Sequence, residues 1–278
     1  MLSKPPTDGR VGASRTAHDR MIFGILRRRR RSRLCAKPFP PSWDELLLRR
    51  WEIYSRLPDP DRRELQGHTS VILAEKHFEG CSGQEVTEDM KVLIAAQASL
   101  LLLHRDTDYF GRLVAILIYP GSFKSPRRHH DAAGVVTEHH EVLAGESWER
   151  GTVVLAWEEV RRGLWCHGDA YNVVLHEFAH QIDFSRVPAE ACRELPRRQV
   201  QAEWASVMGR AFETLGRDAD RGHQTFLDPY GAKDPMEFFA VATESFFQCP
   251  VEMRRAMPDI FEQLCRFYNQ NPADWVRR

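Results

Sequence analysis

Residues 172–183 read NVVLHEFAHQID and place two histidines, His176 and His180, four positions apart with Glu177 beside the first. Residues four apart lie on the same face of an α-helix, so both imidazoles project from one side. Two neutral imidazoles in that arrangement can bind one zinc ion, and the adjacent carboxylate can accept a proton from a zinc-activated water. The stretch therefore predicts a metal-binding helix over residues 170–184.

The remaining positions of this stretch are mostly apolar, which predicts that the helix is buried. Two histidines and a glutamate on a buried helix need partners, because an unpaired buried polar group costs free energy. Histidines that merely form hydrogen bonds inside a core are the alternative interpretation. A third metal ligand elsewhere in the chain would distinguish the two.

The residues after the motif exclude one class of zinc protease. A metzincin continues with a glycine and a third histidine, whereas this chain has Asp183 and Arg186 at those positions. The inverted motif, HxxEH, is also absent from the sequence. A downstream acidic residue on another helix is the arrangement that remains, as in zinc sites with two histidines and one glutamate.

Residues 228–248, DPYGAKDPMEFFAVATESFFQ, supply two candidates for that acidic ligand. Asp234 followed by proline is typical of a helix start, which predicts a helix over 235–248. Glu237 and Glu244 are seven positions apart and lie on nearly the same face of this helix. Spacing alone leaves both open as ligands, and a solvated face that carries both is the alternative.

The rest of the chain predicts an α+β domain that is mainly helical, with a small mixed sheet. Residues 87–103, TEDMKVLIAAQASLLLL, indicate a buried helix with Thr87 as its N-cap. Ser42 and Glu45 have the spacing of a capping box at the start of another helix. The further predicted elements are helices near 42–57, 59–80, 196–215 and 251–270, and strands at 112–123 and 151–160.

We expect one continuous domain over residues 36–278, preceded by a disordered, Arg-rich tail over residues 1–35. The run RRRRRSR at 27–33 is basic enough to contact phosphate groups, but such runs are more commonly solvated and this one carries no interleaved aromatic residues. Two histidine pairs, His129/His130 and His139/His140, fall in a charge-rich segment that reads as an exposed loop.

Composition indicates a globular protein without a polyanionic partner. Acidic and basic residues number 39 each, so we expect no direct binding of nucleic acid. No run approaches the roughly 18 apolar residues that a membrane span requires, and the basic run follows the short apolar MIFGIL rather than preceding it as in a secretory signal. The six cysteines form no CxxC pair. These features predict a cytoplasmic location with reduced thiols.

Four separated blocks together resemble the Mlc titration factor A family of zinc metallopeptidases, over about residues 36–275. The blocks are HEFAHQID, LDPYGAKDPMEFFAVATESFF, TEDMKVLIAAQASLLLL and VAILIYPGSF. This resemblance implies a zincin-like fold with the HExxH motif on its active-site helix. It also implies a zinc (Zn²⁺) cofactor held by His176, His180 and Glu237, with Tyr230 as a further site residue.

Roles for the site residues follow from zinc chemistry. Glu177 is expected to act as general base, and Tyr230 as the hydrogen-bond donor to the oxyanion that develops during hydrolysis. Asp183 and, more weakly, Asn172 are candidates for orienting a ligand imidazole. Glu244 is interpreted either as a residue that contacts a metal ligand without binding the metal itself, or as the partner of a neighbouring residue in a salt bridge.

The resemblance implies a peptidase that acts on peptide substrates, with an aminopeptidase as the narrower expectation. The strand TVVLAW at 152–157 is a candidate platform for an extended peptide, with a core strand as the alternative. The family name also implies the sequestering of a DNA-binding transcriptional repressor and thereby regulation of the glucose phosphotransferase system. A mainly non-catalytic, repressor-sequestering protein is the alternative function, although a pure scaffold does not need Glu177.

Overall fold

A computed structural model describes residues 17–121, 123–130, 136–143, 145–148, 151–166, 168–182 and 197–276, with side chains within 24–121, 151–166, 168–182 and 199–276. The helices in these ranges are α1 (Ala17–Cys35), α2 (Pro41–Arg50), α3 (Glu52–Arg56), α4 (Asp59–Glu75), α5 (Glu88–Leu100), α6 (Trp157–Arg162), α7 (Val173–His180), α8 (Arg197–Asp220), α9 (Pro235–Gln248), α10 (Pro250–Ala256) and α11 (Pro258–Tyr268). The strands are β1 (His77–Gly80), β2 (Ala115–Tyr119), β3 (Phe123–His130), β4 (Val136–Leu143), β5 (Gly145–Trp148) and β6 (Thr152–Ala156). The predicted α+β architecture, mainly helical with a small mixed sheet, is confirmed.

The main sheet has four strands in the order β1-β2-β6-β5. β1, β2 and β6 run parallel, whereas β5 is antiparallel to β6 and forms one edge. β3 and β4 pair with each other as a separate antiparallel sheet. Both histidine pairs lie in these two strands rather than in a loop, which corrects the prediction. Their segment lacks the apolar alternation by which a strand is recognised in sequence.

α5, α7 and α9 form the centre of the helical core, and α7 contacts both other helices. The Thr87 hydroxyl accepts a hydrogen bond from the Met90 amide at 3.3 Å, which confirms the predicted N-cap of α5. α5 is buried continuously from residue 92 to its end. Phe238 and Phe246 of α9 are almost fully buried, and each such side chain contributes roughly 1.5–3 kcal/mol to folding.

The N-terminal region differs from the prediction in two respects. Residues 17–35, expected within a disordered tail, form α1, which packs on α4. Arg31 of α1 makes a bidentate ion pair with Glu75, so at least one arginine of the basic run is buried rather than solvated. α2 begins at Pro41 after Pro40, and Ser42 lies inside the helix, so the predicted capping box is wrong.

Four predicted elements are divided in the structure. The helix predicted over 42–57 is interrupted at Trp51, between α2 and α3. Residues 77–80, predicted as the end of a helix, form β1, because they pair with the distant strand β2. The predicted strand at 151–160 ends at Ala156 and continues as α6. The helix predicted over 251–270 is interrupted at Met257, before Pro258, whose ring prevents a continuous helix. In the described ranges, no helix has both the length and the apolar composition needed to cross a membrane.

Candidate metal centre

α7 carries His176, Glu177 and His180, as the sequence predicts, and its start is fixed by Asn172. The Asn172 side-chain oxygen accepts a hydrogen bond from the Leu175 amide at 3.0 Å, which caps the helix. α7 therefore begins at Val173, three residues later than predicted, and the predicted residues 183 and 184 lie outside the described ranges.

Asn172 is fully buried and is held from two sides. Its side-chain nitrogen Nδ2 donates to the side-chain oxygen of Gln97 at 2.9 Å and to the backbone carbonyl of Gly163 at 2.7 Å. A Cβ atom at position 163 would lie 2.8 Å from the Asn172 Cγ, so only glycine allows this approach. The capping residue thus ties the metal-binding helix to α5 and to the end of α6.

Three side chains with metal-binding atoms converge beside α7. One ligand atom from each of His176, His180 and Glu237 lies within 4.8 Å of the other two. Glu237 Oε2 is 2.9 Å from His176 Nε2 and 3.4 Å from His180 Nε2. Ligands at about 2.0–2.2 Å around a tetrahedral zinc are separated by about 3.3–3.6 Å. The donor set and the His180–Glu237 separation fit this metal, whereas the shorter His176–Glu237 separation is that of a hydrogen bond.

Glu237 reaches this position because α9 begins at Pro235, which places Glu237 in the first turn of the helix. The Asp234 carboxylate accepts hydrogen bonds from the Met236 and Glu237 amides at 2.8 and 3.0 Å, which caps the helix as predicted. The predicted bounds of this helix, 235–248, match those of α9. α9 packs directly against α7, so its first turn presents Glu237 to the two histidines.

Glu244 lies two turns further along α9 and contacts the other nitrogen of His176. Its Oε1 is 2.7 Å from His176 Nδ1, and its Oε2 accepts a hydrogen bond from the backbone N–H of Asn172 at 2.5 Å. A carboxylate only accepts, which assigns the Nδ1 proton to His176 and directs Nε2 to Glu237. Glu244 thereby fixes the orientation of one imidazole and the start of α7 together.

The charges at this centre reinforce one another in the metal-free protein. Burial by itself lowers the pKa of His176, but hydrogen bonds to Glu237 and Glu244 outweigh it and raise this pKa to about 10. Burial opposes ionisation of Glu237, yet the two histidines hold the pKa of this carboxylate well below its usual value. Burial raises the pKa of Glu244 against the opposing effect of His176. A cation that binds at Nε2 must displace the proton that this nitrogen carries.

The two predicted catalytic residues lie on different elements. Glu177 follows His176 on α7 and is 5% exposed. Tyr230 lies in a short 3-10 helix, Pro229–Ala232, whose first turn is capped by Asp228. The Tyr230 hydroxyl donates to Glu237 Oε1 at 3.2 Å, and the tyrosine is 44% exposed.

Lys233 is a neighbour of the site that sequence reasoning missed. Its ammonium donates to the Tyr230 hydroxyl at 3.3 Å and lies 3.7 Å from Glu237 Oε1. Lys233 precedes Glu237 by four residues but lies ahead of the α9 cap Asp234, so helical spacing gave no signal for this contact. Asp183 lies outside the described residues, and Asn172 acts through Glu244 and the helix cap rather than by touching an imidazole.

Comparison with known proteins agrees with this geometry. Residues 25–269 match the family model described as glucose-regulated metallo-peptidase M90. The chain is 34% identical over 244 residues to "Uncharacterized protein slr2042" of Synechocystis sp., which covers 87% of this chain and 89% of the relative. It is 28% identical over 230 residues to "Mlc titration factor A" of Yersinia pestis and of Yersinia pseudotuberculosis, which covers 80% of this chain and 82% of those relatives. The chain therefore belongs to the glucose-regulated metallo-peptidase M90 family.

Proposed function

We propose that this metallopeptidase is zinc-dependent and hydrolyses peptide bonds at the centre formed by His176, His180 and Glu237. The observation that carries the proposal is the convergence of two imidazoles and one carboxylate within 4.8 Å, on two helices that pack directly on each other. Three protein ligands of this kind, with a fourth position left for solvent or substrate, are typical of catalytic rather than structural zinc.

A bound zinc ion would supply a Lewis acid that polarises the scissile carbonyl and lowers the pKa of an attacking water toward about 7. Glu177, adjacent to the ligand His176 and largely buried, takes the proton of that water and transfers it to the leaving amine. Tyr230 donates its hydroxyl proton as a hydrogen bond to the oxyanion. Its 44% exposure gives the hydroxyl access to substrate as well as to Glu237.

Lys233 extends this arrangement. Its ammonium contacts the Tyr230 hydroxyl, so Tyr230 can accept from Lys233 while it donates to the substrate. A cation behind a donor polarises the O–H bond and strengthens the hydrogen bond that it makes. We therefore include Lys233 among the residues that support oxyanion binding.

We assign the pairing with an extended peptide to β5 rather than to β6, the strand for which the sequence predicted this role. β6 is bonded on one side to β2 and on the other to β5, so its backbone groups are already occupied. β5 lies at the edge of the sheet and contacts α7. Backbone hydrogen bonds along such an edge bind a peptide with little dependence on its sequence.

The narrower proposal, an aminopeptidase, requires a carboxylate that holds the free amine of the substrate. Glu244 is unsuited to this role, because both of its oxygens are engaged and the residue is 5% exposed. Asp234 uses Oδ1 for both cap hydrogen bonds and is partly exposed, so it is the better candidate of the two.

Hydrolysis assays on the zinc-loaded protein test both levels of the proposal. Peptide substrates with a free N-terminus, compared with acetylated copies of the same peptides, distinguish an aminopeptidase from an endopeptidase. The variant Glu177→Gln should retain zinc and lose about 10²–10⁴-fold in rate, because general-base catalysis contributes that much. Equal rates in wild type and Glu177→Gln would contradict the assignment.

A regulatory partner is a second candidate function, supported by the name of the Yersinia relatives, Mlc titration factor A. We infer that this chain also binds a DNA-binding transcriptional repressor, which would place it in the cytoplasm. Glu177→Gln separates the two functions, because it removes the general base and leaves the surface unchanged. A non-catalytic, repressor-sequestering protein would show no hydrolysis in wild type and unchanged binding in the variant.

A further inference from the structure

A second cluster of reactive groups lies between the end of α1 and the middle of α4. Cys35 is the last residue of α1 and is exposed. A Cβ atom at Gly67 of α4 would lie 3.2 Å from the Cys35 Cβ, so glycine at this position allows α1 to approach α4 closely. This approach places the thiol beside His68, the next residue of α4.

Tyr109 connects the thiol to the imidazole. Its hydroxyl lies 3.6 Å from the Cys35 Sγ and 3.0 Å from the His68 Nδ1. The other ring nitrogen of His68, Nε2, lies 3.3 Å from Glu64 Oε1, and Glu64 also accepts a hydrogen bond from the His104 amide at 2.9 Å. The sequence of groups is that of an activated nucleophile: a thiol, a proton carrier, and a carboxylate that orients the proton carrier.

Tyr109 is held in this position by an unusual backbone. Tyr109 and Phe110 both have left-handed conformations, with φ of 59° and 53°. Non-glycine residues adopt this region at a cost and cluster where geometry serves a function. The guanidinium of Arg31 lies 4.6 Å from the centre of the Tyr109 ring and is fixed by Glu75 and by the Asp108 carbonyl. The ring therefore has little freedom to leave the cluster.

The thiol opens onto a cavity of about 890 Å³. The charged side chains that line it include more cations than anions: Arg27, Arg28, Arg31 and Arg105 against Asp106 and Asp108. Arg27 and Arg28 are exposed, and no predicted role at the metal centre accounts for them. Such a lining favours a ligand that carries carboxylates.

We propose that Cys35, together with Tyr109 and His68, forms a nucleophilic thiol site that exchanges with anionic, low-molecular-weight disulfides bound in this cavity. The Cys35 thiolate attacks one sulfur of the disulfide, and a new S–S bond forms as the old one breaks. The departing sulfur leaves with the electron pair and takes a proton from the His68 imidazolium through the Tyr109 hydroxyl. Cys35 is oxidised to a mixed disulfide, and the released half is reduced to a thiol.

Protonation at the cluster is consistent with this chemistry. The neighbouring His68 imidazole lowers the pKa of Cys35 despite partial burial. Burial opposes the charged form of His68, but its interactions with Cys35 and Glu64 leave the pKa of the imidazole raised. Burial raises the pKa of Tyr109, which therefore keeps its proton and donates it to the thiolate. The other charged or titratable groups around the cluster are Arg31, Glu75, His104, Arg105, Asp106 and Asp108.

The remaining described cysteines provide an internal comparison. Burial raises the pKa of Cys249, and it raises the pKa of Cys166 and of Cys265 to about 12. These thiols are protonated at neutral pH and should react slowly with a disulfide, because the thiolate is the nucleophile. Cys81 is partly exposed and lies outside the cluster, so it serves as the matched control.

The test is a kinetic one on the full-length protein at pH 6, with Ellman's reagent as the dianionic probe and peptide mapping to locate the modified cysteine. Cys35 should react first, and Cys35→Ser should abolish the fast phase while Cys81→Ser leaves it intact. His68→Gln and Tyr109→Phe should each slow the reaction by about tenfold, because an ordinary thiol is almost fully protonated at this pH. Protection of Cys249 in the same map verifies that each variant is folded.

The anionic character of the co-reactant is tested with cystamine, a dicationic disulfide. The ratio of the rates with Ellman's reagent and with cystamine should be larger at Cys35 than at Cys81, because the better leaving group of Ellman's reagent favours it at every thiol. The double variant Arg27→Gln/Arg28→Gln should reduce this preference at Cys35 at least severalfold. Equal preference in wild type and the double variant would overturn the assignment of an anionic co-reactant. A Cys35 rate equal to that of Cys81, or one unchanged by both His68→Gln and Tyr109→Phe, would overturn the site itself.

Discussion

Replacement of Glu244 by glutamine tests how the histidine ligand is oriented. One oxygen of Glu244 accepts a hydrogen bond from the backbone N–H of Asn172 at 2.5 Å, and the other accepts one from His176 Nδ1 at 2.7 Å. Both neighbours are donors, and a glutamine of almost identical shape offers one acceptor oxygen and one NH₂ group that only donates. While His176 carries its proton on Nδ1, either orientation of the glutamine amide replaces one of the two hydrogen bonds by two opposed donors.

The magnitude follows from the burial of this contact. Glu244 is 5% exposed and Asn172 is fully buried, so a donor that loses its acceptor there is poorly rehydrated. An unsatisfied buried group of this kind costs about 1–3 kcal/mol, which we expect as the loss in free energy of unfolding of the metal-free protein. A ligand histidine that loses its orienting carboxylate typically binds zinc about 10–100-fold more weakly.

Two assays measure these effects separately. Urea denaturation of the metal-free protein gives the free energy of unfolding, and competition with a chromogenic chelator gives the zinc affinity. Glu252→Gln on α10 is the matched control, because the same substitution there falls on an exposed side chain. Zinc affinity and stability of Glu244→Gln equal to those of Glu252→Gln would refute the orienting role of Glu244.

Three further predictions concern other parts of the structure. Tyr230→Phe should lower the hydrolysis rate by about 10²–10³-fold with zinc content unchanged, as for the loss of other oxyanion donors. A rate within twofold of wild type would remove Tyr230 from the chemistry. Asn172→Ala should lower the free energy of unfolding by at least about 1–2 kcal/mol, since it removes the cap of α7 and a donor to Gln97 and Gly163; an unchanged urea midpoint would contradict the capping role. Burial lowers the pKa of Lys76 from 10.5 to about 8, so the unfolded chain binds more protons between these values and stability contributed by this group rises with pH across that window. Lys76→Met should flatten this rise in urea midpoints measured from pH 8 to 10, and an unaltered slope would argue against the buried ammonium.

The elements that the sequence predicts well are those with local signals. Asp234 and Pro235 mark the start of α9 within two residues, and Thr87 marks α5 in the same way. The HExxH spacing likewise predicts that His176 and His180 lie side by side on one helix. The structure bears this out, with ring centroids 4.9 Å apart.

The features that sequence reasoning missed depend on residues far apart in the chain. Asn172 caps α7 because Gly163 and Gln97, which lie on other elements, leave room for its side chain and accept its protons. The strand β1 exists through its pairing with β2, and nothing local distinguishes residues 77–80 from the end of α4. Burial of Arg31 depends on Glu75, so the helical α1 was not evident from the basic run alone.

The choice between Glu237 and Glu244 illustrates the same limit. Both lie on one face of α9, and spacing leaves either as the third ligand. Packing of α9 on α7 places Glu237 at the Nε2 side of both histidines and Glu244 at the Nδ1 side of His176 alone. This distinction arises from the crossing of two helices, which a linear pattern does not encode.

The most direct test of the metal centre is zinc content measured by mass spectrometry on purified protein after zinc reconstitution and desalting. Wild type is compared with Glu237→Ala and with the exposed control Glu252→Ala. We expect about one zinc per chain in wild type and in Glu252→Ala, and little in Glu237→Ala, because three protein ligands are needed to hold the ion. Equal zinc in all three proteins, or none in wild type, would contradict a centre built from His176, His180 and Glu237.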